Sequence, residues 1–121
     1  MIGVGKLVAL LLYPLYYGMS RRWGGRSTSI AASKSGWKAL GRSDFAWAER
    51  YGRVAIVSAP REARGYHLLG VTYYRLNKLD LALKVYEDGL RVTPKAAELL
   101  LGLADLELSQ HKAGRARELY E

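Results

Sequence analysis

The chain has 121 residues, of which half are apolar and a quarter charged, so it is an ordinary globular composition with room for one domain or a small domain and a tail. It has no cysteine, which excludes disulfides, thiolate metal sites and a thiol nucleophile, and its two histidines, His67 and His111, are poor material for an imidazole-built zinc site. The net charge of +8 is unevenly placed: residues 1–43 carry Lys6, Arg21, Arg22, Arg26, Lys34, Lys38 and Arg42 with no acid, while the remainder is nearly balanced.

The first element is apolar. Leu7 to Met19 is an uncharged run of 13 residues, too short at about 1.5 Å per residue to cross a hydrocarbon core of ~30 Å. Extended to Ile2–Met19 it reaches roughly 27 Å, enough if Lys6 snorkels. Residues 1–22 are therefore expected to form an apolar helix that anchors the chain to a membrane or lies in its interface. Leu7 and Leu11 would meet lipid, Tyr13, Tyr16, Tyr17 and Trp23 the headgroup level, and Arg21 and Arg22 anionic lipid. The arginines after the run place the body on the cytoplasmic side, or on the equivalent side of a mitochondrial inner membrane. A helix packed on another protein and a cleaved targeting peptide are the competing readings; Gly18-Met19-Ser20 is a poor cleavage site.

Gly24-Gly25 and Ser27-Thr28-Ser29 mark a basic linker over 23–28, and a repeat domain follows over 29–121. Ala48, Ala82 and Ala116 are spaced 34 apart, as are Pro60 and Pro94, Tyr86 and Tyr120, and Gly36 and Gly70. Within 63–96, Tyr66, Leu69, Gly70 and Tyr73 share one helical face, and Ala82, Tyr86 and Gly89 share another. Asn77-Lys78 breaks the two helices, and Thr93-Pro94 reads as the cap and first turn of the next unit. Each unit is an antiparallel helix pair whose small residues let the two axes come close.

This pattern resembles the tetratricopeptide repeat, a helix–turn–helix unit of the same length. Tyr66, Leu69, Gly70, Tyr73, Ala82, Tyr86, Gly89 and Pro94 match all eight of its marked positions; Leu100, Leu103, Ala104, Ala116 and Tyr120 continue the match in 97–121. The match over 29–62 is partial: Gly36, Ala48, Ala55 and Pro60 fit, but Ala32, Ser35, Ala39 and Gly52 replace larger residues, which predicts a loose first pair. The implied fold is all-α: an N-terminal apolar helix and a short right-handed solenoid of two and a half to three repeats, 29–62, 63–96 and 97–121. The last unit would leave apolar residues without a capping helix, as in a fragment or in a chain whose stack another subunit continues.

The resemblance implies protein–protein binding on the concave side, at the second, fifth, ninth, twelfth and thirteenth positions of each unit. Here these are Arg64, His67, Val71, Tyr74 and Arg75 in the central unit, Glu98, Leu101, Asp105, Leu108 and Ser109 in the last, and Ile30, Ser33, Trp37, Leu40 and Gly41 in the first. The groove residues singled out are Trp37, Arg64, His67, Val71, Tyr74, Arg75, Leu101 and Asp105. Arg64, Tyr74 and Arg75 suit an acidic or C-terminal peptide segment. The clamp that chaperone-binding members use for a terminal carboxylate is not matched by Ser33, Trp37, Leu68, Glu98 and Gly102.

Other chemistries fare worse. Gly3-Val4-Gly5-Lys6 lacks the upstream glycine and the hydroxyl of a phosphate loop, and Ser20-Arg21-Arg22 follows its apolar run where an export signal would precede it. His111, near Asp105 and Glu107, matches no ligand spacing. Ser33, Ser35 and Ser43 have no neighbouring histidine base. No cofactor or metal is expected. Nucleic-acid binding by residues 21–42 with Trp23 and Trp37 is the weaker reading, because the charges do not line one helix face. The expected function is a non-enzymatic, membrane-tethered adaptor or assembly scaffold. The alternative is a small accessory subunit of a large membrane complex, and last comes a soluble RNA-binding or enzyme fragment.

Overall fold

The computed structural model describes residues 25–120, without the side chains of 116, 117 and 120. Its elements are five helices: α1 (Gly25–Gly41), α2 (Phe45–Ser58), α3 (Ala63–Arg75), α4 (Leu79–Val92) and α5 (Ala97–Tyr120). No strand occurs among the described residues. The apolar helix and membrane contacts expected at 1–22, from Leu7 to Arg22, and Trp23 lie outside them. Among the described residues no helix is long and apolar enough to cross a membrane.

Each helix packs on the next in sequence, and α3 also touches both α1 and α5. The first helices of the units thus form one layer, with α2 and α4 outside it. Two turns are built alike. Ser43 and Asn77, 34 positions apart, take φ of 60° and 59°. In each, the following amide reaches back to a carbonyl of the preceding helix: Asp44 N–H to Ala39 O at 2.8 Å and Lys78 N–H to Tyr73 O at 2.9 Å. This closes the helix with a left-handed residue and satisfies carbonyls that its end would otherwise orphan. Asn77→Val should therefore cost about 1–2 kcal/mol, the cost of a left-handed conformation for an L-residue, and more than Asn77→Gly; paired chemical melts would measure the difference.

The third member of this series is His111. Here the structure departs from the expected hairpin: α5 runs unbroken for 24 residues through His111 and Lys112. Around that point stand Gln110, Lys112 and Ala113, all good helix formers. Ala116 accordingly lies on the same helix as Leu103 and not on a returning one. The seat that a returning helix would cover stays open, with Leu100 about half exposed.

Two further boundaries differ. Helix α1 already includes Gly25–Thr28, the expected linker, and Arg26 pairs with Glu62 at 3.4 Å ahead of α3. Thr93 ends α4 and does not cap the next helix: its N–H and its hydroxyl both donate to Gly89 O. Pro94 then falls in a turn closed by Ala96 N–H to Thr93 O, and α5 begins at Ala97.

The core has two parts. Ala32, Ala39, Leu40, Ala48, Tyr51, Val54, Ala55 and Leu68 fill the first pair; Leu69, Tyr73, Ala82, Tyr86, Leu99 and Leu106 fill the second. The first pair is not loose. Small residues on α1 (Ser29, Ala32, Ser33, Gly36 and Ala39) bring it close to α2, and these two helices are the most closely packed pair among the described residues. Leu68 from α3 inserts against Gly36, and the Ser29 hydroxyl donates to Ala55 O at 3.0 Å. Short side chains are matched by a shorter distance between axes, so contact density is kept.

Candidate functional site

An open cavity of about 450 Å³ lies on the inner layer between α3 and α5. Its lining is His67, Val71, Tyr74 and Arg75 from α3, Glu98, Leu101, Gly102 and Asp105 from α5, and Tyr86 from α4. The α3 residues recur at intervals of three and four, so they share one face; those of α5 do likewise. The opposite face of α3 holds Leu69 and Tyr73 in the second core. One amphipathic helix thus carries both the core and the groove.

The structure brings six of the eight singled-out residues to this cavity: His67, Val71, Tyr74, Arg75, Leu101 and Asp105. A seventh, Trp37, extends it toward α1. Its ring meets that of His67 edge-on, with centroids 4.9 Å apart and planes at 60°. The eighth, Arg64, is not among the lining residues; its guanidinium pairs with Glu62, which also holds Arg26.

Arg75 lines the cavity, yet its guanidinium is engaged at the rim. It donates to Leu40 O at 3.1 Å and lies 5.4 Å over the Phe45 ring, bracing the turn between α1 and α2. The two cations on which an acidic ligand was expected are therefore already occupied. Sequence reading missed that because neither partner, Glu62 or Leu40 O, is marked by any spacing.

Across the cavity the Tyr74 and Ser109 hydroxyls hydrogen-bond at 2.5 Å, tying α3 to α5. Tyr86 forms the floor. It is 2 % exposed, and its phenol is pushed up to about 12, by burial first and then by the charge of Asp105. Tyr86 was assigned to the core from its spacing, and it is a core residue with one edge in the groove. The signal for that edge is Gly102, which has no side chain to cover the ring: a Cβ there would meet Tyr86 Cζ at 2.6 Å.

Burial holds the His67 pKa below its usual 6.5, and Glu98 opposes that shift. Because the folded value is depressed, the neutral ring is favoured by folding. The resulting stability is present above 6.5 and is lost as pH falls through the lowered folded value. The groups facing this imidazole are Trp37 from α1 and Glu98 from α5. His67→Gln should flatten the fall in melting temperature on acidification below 6.5, measured by circular dichroism across that range.

Residues 67–121 match the sequence family described as Tetratricopeptide repeat. This part of the chain is similar to that family. The match begins at the first cavity residue of α3 and takes in every lining residue. Tetratricopeptide repeats are interaction modules, and their typical members are not catalytic. No curated protein matches the chain.

Proposed function

We propose that the protein is a non-enzymatic adaptor that holds a segment of another protein in the groove between α1, α3 and α5. What supports this reading is the cavity itself, an open, aromatic- and aliphatic-lined recess on the inner layer of tetratricopeptide repeat helices. Its polar groups, on His67, Tyr74, Arg75, Glu98 and Asp105, are spread around it, as suits orientation of a bound chain. Leu101 is 66 % exposed at its wall, so Leu101→Asp disturbs the groove with little cost to the core. Proteins that co-purify with the native chain should be lost at least tenfold with Leu101→Asp at an unchanged melting temperature. Recovery equal to the parent's would remove the groove from the function.

The apolar run at 1–22 is the basis for proposing a tether to a membrane, with the repeats on its cytoplasmic side. Carbonate washing tests it: the full chain should stay with the membrane fraction, and quantitative release would reject the tether. A second reading, a structural subunit of a larger assembly, is favoured by one observation. Leu100 and Leu119 on α5 are 47 % and 82 % exposed, apolar surface of the kind that another subunit covers. Constant stoichiometry with fixed partners after gentle extraction would support it.

A further inference from the structure

Acid outweighs base in the groove lining, with Glu98 and Asp105 against Arg75. Glu98 and Asp105 stand seven residues apart on α5, which puts them about 10 Å apart on one face. Both are exposed, both line the cavity, and neither pairs with a cation among the described residues. The cations nearby are directed elsewhere: the Arg75 guanidinium keeps its charge but points to Leu40 O and the Phe45 ring at the rim, and Arg64 pairs with Glu62. Lys34 and Lys38 are exposed on α1 and do not line the cavity. Tyr74 lines the cavity together with both carboxylates, and Trp37 stands beside it against His67; the faces of such rings attract cations. Apolar contacts flank them. Leu101 and Leu108 are seven residues apart on α5, as are Ile30 and Trp37 on α1, and all four are at least 37 % exposed.

We infer that the groove takes a basic segment of a partner protein, with a lysine or arginine side chain seated between Glu98 and Asp105 and apolar neighbours against Val71, Leu101 and Trp37. This deepens the groove reading above and rests on it. The inference reverses the ligand charge expected from the presence of Arg64 and Arg75 alone. It also runs against the long-range field, since the whole chain carries +8 and repels cations from a distance. A preference for a basic ligand therefore has to come from the groove.

The test uses the full chain and two end-blocked peptides of about ten residues, identical except that three positions between leucines are lysine in one and glutamate in the other. Binding is followed by fluorescence anisotropy at about 0.15 M salt, where screening sets in beyond about 8 Å. The lysine peptide should bind at least tenfold tighter than its glutamate twin. Glu98→Gln with Asp105→Asn should bring that ratio below two. The same charge loss placed elsewhere, as Glu87→Gln with Glu118→Gln, should leave it near its original value.

Equal affinity for both peptides, or tighter binding of the glutamate peptide, would overturn the basic preference and leave the groove reading standing. So would a ratio that survives the substitutions at 98 and 105. Failure of both peptides to bind would overturn the groove reading and this inference with it. One further arm concerns the chain's own basic stretch. If Arg21→Gln with Arg22→Gln raised the lysine-peptide affinity tenfold, the groove would belong to that stretch and the partner assignment would fall.

Discussion

Gly65→Ala should unfold at much lower denaturant than the parent, by about 3 kcal/mol, the upper end of what overpacking costs. Gly65 sits at the crossing of α2 and α3. A Cβ there would lie 2.6 Å from Ile56 N, 2.8 Å from Ile56 Cγ1 and 3.0 Å from Ala55 C. Two of these three atoms are backbone, so no rotamer change relieves the clash; α2 itself has to move. Ala55 is fully buried and belongs to the first core, so that movement disturbs its packing as well. The contrast is Gly114→Ala on α5, where a Cβ meets nothing within 4 Å. That substitution should leave stability unchanged or raise it by up to about 1 kcal/mol through helix propensity. Urea melts of the two variants side by side make the comparison, and equal midpoints would show that α2 and α3 do not approach as described.

The second large effect is at Tyr86. Its ring is the largest fully buried side chain among the described residues, wedged beside Gly70 and Gly102. A Cβ at Gly70 would stand 2.5 Å from Tyr86 Cε1, so the ring occupies the space that this glycine leaves. Tyr86→Ala should cost about 3–5 kcal/mol, through lost burial and the void left behind. Tyr86→Phe keeps the ring, and no hydrogen bond of the phenol holds the fold among the described residues, so it should cost under about 1 kcal/mol. Thermal melts followed by circular dichroism would separate the two. A Phe variant as unstable as the Ala variant would mean that the hydroxyl, and not the ring, carries the site.

The residues that were legible in the sequence are those whose role is set by size and spacing. Gly70 and Ala82 repeat Gly36 and Ala48 at a fixed interval, and Gly89 answers the small Ala55, because two helices have to come close; they lie at contacts with Tyr86, with the second core, and with Tyr66 and Leu99. The groove face of α3 was named from the resemblance and not from spacing; His67, Val71 and Tyr74 line the cavity on the side opposite Leu69 and Tyr73. What spacing does not carry is partnership. Arg64 and Arg75 look alike as cations on a helix surface, and only the fold shows that one turns to Glu62 and the other to a carbonyl at the end of α1. Nor does spacing fix where a repeat stops being a hairpin. Ser43 and Asn77 turn left-handed, His111 stands in the same place, and α5 continues through it because neighbouring residues favour helix. Gly65 escaped notice because only one unit has a glycine there; its counterparts at 34-residue spacing are Ala31 and Leu99.

The most direct test of the account is site-specific photo-crosslinking in cells that make the protein, comparing two leucines of opposite position. A photoreactive residue in place of Leu101 sits at the wall of the groove; one in place of Leu81, 44 % exposed on α4, sits outside its lining. The account predicts a discrete adduct with a second polypeptide from position 101 and none from position 81. An adduct from position 81 with none from 101 would contradict it.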